Sequence, residues 1–182
     1  MRESSRLGDF SKLVLSKKNR MTITVYGPYG GNFKVKLLKI TELLRSKYGY
    51  DDCKIVAERI YRRQRNGEDT NSYWTTKSFH YLEESHVVIF IFYCDKGKEI
   101  AHNESPSIEI SRLIYKTNKK NCCFVLKDNN CKMPPMLEGI LKEHELKMDE
   151  FNGYEKKCED KIAKLLQGKC LSFLKEKFDQ IE

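Results

Sequence analysis

Val87-Val88-Ile89-Phe90-Ile91-Phe92-Tyr93 is an unbroken run of β-branched and aromatic residues. A strand with one wetted face alternates apolar and polar side chains, so a run without polar breaks needs cover on both faces. That is the signature of a strand inside a parallel sheet clad by helices. The flanking segments agree with it. Residues 21–26 read as a first strand, and Phe33, Leu37, Leu38, Ile40, Leu43 and Leu44 recur at helical spacing after it. Residues 54–57 give a weak second strand, and residues 71–84 a helix capped by Asn71 or Ser72, with Trp74, Phe79, Tyr81 and Leu82 as its apolar positions. A helix over 106–117, a fourth strand over 122–126, a helix over 135–145 and a short strand within 146–151 follow. The tail, 154–181, reads as one or two helices broken near Gly168. Alternating strands and helices predict a three-layer α/β sandwich with a parallel sheet.

The expected organisation is a helical or flexible extension over 1–20, an α/β nucleotide- or nucleoside-binding domain over 21–152, and a C-terminal helical extension over 153–182 that packs on the domain or on a partner. A chain of 182 residues with 40% hydrophobic content can bury one substantial core. Its apolar runs fall short of the roughly 18 residues that span a membrane. The opening Met-Arg-Glu-Ser-Ser-Arg lacks the apolar segment of a signal peptide, so the expected location is cytoplasmic. The seven cysteines show no CxxC pair and are expected to be reduced, mostly buried thiols. Cys122 and Cys123 point to opposite faces of a strand, and no metal or other cofactor is expected.

A net charge of +8 favours an anionic partner. Most of the excess is scattered as Lys-Lys pairs on solvated helix faces. The exception is Arg59-Ile60-Tyr61-Arg62-Arg63-Gln64-Arg65, where Arg59, Arg62, Arg63 and Arg65 are candidate contacts to phosphate or to a nucleic-acid backbone. Of these, Arg62, Arg63 and Arg65 are expected to be exposed.

Two stretches carry the chemistry. Gly27-Pro28-Tyr29-Gly30-Gly31 closes the first strand. Open α/β sheets bind ligands beyond the carboxyl ends of their strands, and missing side chains there let backbone N–H groups approach a phosphate or sugar. A tight turn without a ligand is the alternative reading. Neither GxGxxG nor GxxxxGK is present, so redox Rossmann and P-loop chemistry are unsupported. The second stretch is Asn103-Glu104-Ser105-Pro106-Ser107-Ile108-Glu109-Ile110, with Ser105 read as the cap and Pro106 as the first helical residue. Glu109 then stands too late for a capping-box glutamate. It either reaches the crevice beside the glycine loop or lies on the surface paired with Arg112.

The Gly-Pro-Tyr loop, the Glu-Glu-Ser-His-Val-Val-Ile-Phe entry to the third strand and the Ser-Pro-Ser-Ile-Glu-Ile-Ser helix opening resemble the nucleoside 2-deoxyribosyltransferase superfamily over roughly residues 21–127. The resemblance implies a flavodoxin-like, five-stranded parallel sheet in the order 2-1-3-4-5, a homodimer, and a glutamate on the helix after the third strand that attacks an anomeric carbon. Glu109 stands at that position. Where the family carries Asp-x-Gly-Thr-x-x-Glu, this chain reads Asn103-Glu104-Ser105-Pro106-Ser107-Ile108-Glu109.

Cleaving an N-glycosidic bond builds positive charge on the sugar, which a carboxylate can meet as nucleophile or stabiliser. Glu109 is the candidate for that role, and Asp95, Asn103 and Glu104 for holding or protonating the leaving base. Tyr29 or Tyr26 would orient the sugar or the carboxylate, and Gly27, Pro28, Tyr29, Gly30, Gly31, Ser105 and Ser107 would line the ligand site. Tyr73 and Trp74 either stack on a base or belong to the core. The expected ligand is a nucleoside, nucleotide or NAD-like molecule. The alternative function is a non-catalytic nucleotide- or nucleic-acid-binding module on the same fold.

Overall fold

The computed structural model describes residues 3–60, 69–95, 104–116 and 122–177, and of these the side chains from residue 12 onward, excepting Glu104. The strands are β1 (Ile23–Tyr26), β2 (Cys53–Ile55), β3 (Val87–Phe92), β4 (Cys123–Asp128) and β5 (Met148–Phe151). They form one all-parallel sheet in the order β2-β1-β3-β4-β5. The helices are α1 (Glu3–Arg20), α2 (Phe33–Tyr48), α3 (Val56–Arg59), α4 (Thr70–Glu84), α5 (Glu104–Lys116), α6 (Pro135–Glu143) and α7 (Cys158–Glu176). The result is a flavodoxin-like three-layer sandwich.

β3 is central and buried at every position, as its unbroken apolar run predicts. Val87, Ile89 and Ile91 join the core beneath α2 and α7, whereas Val88, Phe90 and Phe92 join the core beneath α3, α4, α5 and α6. Successive side chains thus serve opposite layers, following the two-residue period of a strand.

Several boundaries differ from the sequence expectation, each for a local reason. β2 stops at Ile55 because the Glu58 carboxylate accepts the Ile55 N–H at 3.0 Å and starts α3, which takes Val56 and Ala57 out of the strand. The cap of α4 is Asp69 rather than Asn71 or Ser72; its carboxylate accepts the Ser72 N–H at 2.8 Å. α5 already includes Glu104 and Ser105, so Ser105 is not its cap. α7 runs unbroken through Gly168. A helical glycine costs about 1 kcal/mol relative to alanine. Burying Ile162, Ala163, Leu166, Cys170, Phe173 and Leu174 on one face outweighs that cost. This face packs on α2, so the C-terminal segment belongs to the sandwich. The extension over residues 1–20 carries α1, which packs Val14 against the core beneath α2 and α7 and is tied to the end of α2 by Lys18, whose ammonium donates to the Tyr48 carbonyl at 3.3 Å.

The cysteines require a correction. Cys94 and Cys131 form a disulfide instead of remaining reduced. β3 and β4 are neighbours, and the segments leaving their carboxyl ends bring the two Cα atoms to 5.3 Å, although 37 residues separate them in sequence. Closing a loop of that length is worth about 4 kcal/mol in the chain-entropy picture. The other five cysteines are in no disulfide, all but Cys122 are buried, and burial pushes Cys53 and Cys123 up to about 12. Thiol titration of the denatured, unreduced protein is therefore expected to count five groups, the seven of the sequence minus the two in the disulfide. Reductant should raise the count to seven and lower the melting temperature. Seven thiols without reductant would contradict the bridge.

Among the described residues no helix is long and apolar enough to cross a membrane, and no cluster of three or more His, Cys, Asp or Glu is placed to hold a metal ion.

Candidate functional site

The carboxyl ends of β1 and β3 meet where the order of the sheet reverses, the place at which parallel α/β sheets leave a crevice. Beside it lies a pocket of about 440 Å³. Tyr29 enters it from the loop after β1, and Val56 and Ile60 from α3 and the residue after it. Trp74, Thr75, Ser78 and Phe79 come from α4, and Ser105, Ile108 and Glu109 from α5. Spacings of three and four residues set these side chains on single helix faces.

Glu109 is 7% exposed. It shares the inner stripe of α5 with Ile110, Leu113 and Ile114, so packing that stripe on β3 carries the carboxyl inward with it. The Ser78 hydroxyl donates to its Oε1. The Ser78 carbonyl in turn accepts the Tyr26 hydroxyl at 2.9 Å, and the Tyr26 ring stacks on Phe90 with centroids 5.2 Å apart. The carboxyl of Glu109 is therefore held through α4 by the central sheet.

Burial pushes the Glu109 carboxyl up to about 7, against the smaller opposing pull of the Ser78 and Ser105 hydroxyls. Among the described residues no cation helps to hold its charge. Burial likewise raises the Tyr26 and Tyr29 phenols above their ordinary value, with the charge of Glu109 adding to the effect, so both stay protonated at neutral pH. The Tyr29 hydroxyl is buried near the backbone of Val56 and Ala57 but makes no hydrogen bond of good geometry among the described residues. A buried hydroxyl left in that condition is available to a ligand.

The structure brings Glu109, Tyr29 and Ser105 together. Of the other expected ligand contacts, Gly27, Pro28, Gly30, Gly31 and Ser107 do not line the pocket. Gly27 has a packing role: a Cβ there would lie 2.9 Å from the Ile91 carbonyl oxygen and 2.9 Å from a Leu37 methyl. Gly31 supplies backbone freedom at φ +55°. Asp95 is exposed beyond β3 and does not line the pocket either. Asn103, Arg62, Arg63 and Arg65 lie outside the described residues. The surface pairing of Glu109 with Arg112 is not formed. Arg112 instead stands 4.3 Å over the Phe79 ring, with Glu83 at 3.9 Å.

Arg59 is committed to the interior. Its side chain is 7% exposed and donates to the Asp52 carboxylate at 3.1 Å, the Asp52 carbonyl at 2.8 Å and the Ile23 carbonyl at 2.9 Å. Burial alone would raise Asp52, yet the Arg59 guanidinium holds that carboxyl below the usual carboxylate range. Replacing Arg59 by lysine loses the planar fork and is expected to cost about 1–3 kcal/mol in chemical denaturation. Unchanged stability would place its charge outside the fold.

Sequence reading missed Ser78 and Thr75. Ser78 stands four residues before buried Leu82, on the inner stripe of α4, and a hydroxyl in that stripe was the available signal. Compared with known proteins, the chain matches no family model, no curated protein and no solved structure.

Proposed function

We propose that this protein cleaves the N-glycosidic bond of a nucleoside-like compound, with Glu109 as the group that meets the anomeric carbon. The observation that carries the reading is Glu109 itself, a buried carboxyl facing a pocket of about 440 Å³ that the Tyr29 side chain also lines. The volume suits one small molecule. Positive charge developing on the sugar favours the ionised carboxyl, so the interaction strengthens toward the transition state, where it accelerates reaction. The Ser78 hydroxyl engages Oε1 and steadies the carboxyl at the pocket wall. Tyr29 supplies a neutral hydroxyl for the sugar or the base. The resemblance noted in the sequence adds a homodimer to this reading, which light scattering of the purified protein checks.

The test is chromatographic. Purified protein is incubated with nucleosides, deoxynucleosides, their monophosphates and NAD, and released base is measured. Release is expected from the wild type, and a fall on the order of a thousandfold in Glu109→Gln, which keeps the shape and removes the charge. Release that persists in the variant removes Glu109 from the reaction. The altered Asn103–Glu109 segment favours a second reading, a non-catalytic binding module in the same pocket. Ligand-induced thermal stabilisation without any base release would select it.

A further inference from the structure

Charge and ring content narrow what the pocket takes. Among its described lining residues Glu109 is the one group that ionises near neutrality, and no lysine, arginine or histidine is present. Two described arginines of the neighbouring elements are engaged elsewhere, Arg59 with Asp52 and Arg112 with Phe79 and Glu83. What steadies a negative charge on Glu109 is a pair of hydroxyls, and among the described residues the carboxylate has no counter-charge. The remaining surface carries Tyr29, Trp74 and Phe79, with Trp74 43% exposed. A buried carboxylate with no cation among the described residues, in a pocket that aromatic rings also line, is an arrangement that attracts a flat organic cation.

We propose that the pocket binds a cationic heteroaromatic ring, and that the N-glycosides it cleaves are those of a pyridinium-type base. The proposal rests on the glycosidase reading for its chemistry but not for binding. A neutral purine or pyrimidine leaves as an anion unless a second group protonates it, and the described lining offers no second carboxyl. A pyridinium base needs no such proton. As the C1′–N bond breaks, its electron pair passes to the ring nitrogen and the base departs neutral, while a Glu109 oxygen bonds to C1′. Water then cleaves the glycosyl ester, giving the free sugar, a proton and the carboxylate.

Binding is tested with 1-methylnicotinamide, a cation, against neutral nicotinamide. Calorimetry reads the affinity, and the fluorescence of Trp74, the single tryptophan of the chain, reports the location. The cation is expected to bind wild-type protein on the order of tenfold more tightly. Glu109→Gln should erase that preference and leave nicotinamide affinity within about twofold. Equal affinities in the wild type, or a preference that survives Glu109→Gln, overturn the proposal, and the first comparison needs no variant. In parallel, nicotinamide riboside is incubated beside neutral deoxynucleosides. Faster cleavage of the neutral substrates defeats this inference and leaves the glycosidase reading standing. Cation preference without cleavage of either class supports the binding claim and defeats that reading.

Discussion

Glu109→Gln is expected to stabilise the folded protein by about 3 kcal/mol at pH 8 relative to its effect at pH 4. Each unit between the ordinary carboxyl value of 4.5 and the value of about 7 in the fold corresponds to about 1.4 kcal/mol. The direction follows from proton binding. Between pH 4.5 and 7 the folded chain holds the Glu109 proton and the unfolded chain has lost it, so stability falls as pH rises through that window and is level above it. Glutamine is neutral throughout and still presents an oxygen to Ser78. The phenols of Tyr26 and Tyr29 stay protonated across the range, and titrations elsewhere cancel in the comparison of the two proteins. Urea midpoints from pH 4 to pH 9 check it: two parallel curves would mean that Glu109 is solvated. A residue that weakens the fold at neutral pH, and whose replacement removes both the penalty and the chemistry, is what a functional carboxyl in an apolar site should be.

The sheet was legible because each signal was local and redundant. The run Val87–Tyr93 announced a strand covered twice, and the alternation around it leaves few topologies. Other features depend on which elements meet. Cys94 and Cys131 carry no spacing signal, since only the adjacency of β3 and β4 makes them partners. Arg59 reads as part of a basic patch until Asp52 and the Ile23 carbonyl close around it. Ser78 gains its role from the packing of α4 against α5. Glu109 was half legible: its place one residue before Ile110 and four before Leu113 put a carboxylate in an apolar stripe, but the stripe alone does not say that a pocket opens there.

Gly153→Ala is expected to destabilise the protein by about 2–4 kcal/mol, far beyond an ordinary glycine replacement. The added Cβ would lie 2.0 Å from Asp128 Oδ2 and 2.8 Å from its Cγ. Asp128 cannot easily turn aside, because it is 1% exposed and its Oδ1 accepts the Asn130 N–H at 3.1 Å and the Asn130 amide at 2.7 Å. These bonds shape the turn after β4 whose carbonyl at Asp128 also accepts the Cys131 N–H at 2.8 Å. Relief by backbone movement would strain the Gly153 carbonyl, which receives the Lys36 ammonium at 2.9 Å. A double-mutant cycle isolates the cause: Asp128→Ala removes the obstructing oxygens, so the pair should cost less than the sum of the single changes. Gly168→Ala is the control, since a Cβ there meets nothing within 4 Å and α7 should gain about 0.5–1 kcal/mol. Additive losses in the cycle would show that contact with Asp128 is not what requires glycine at position 153.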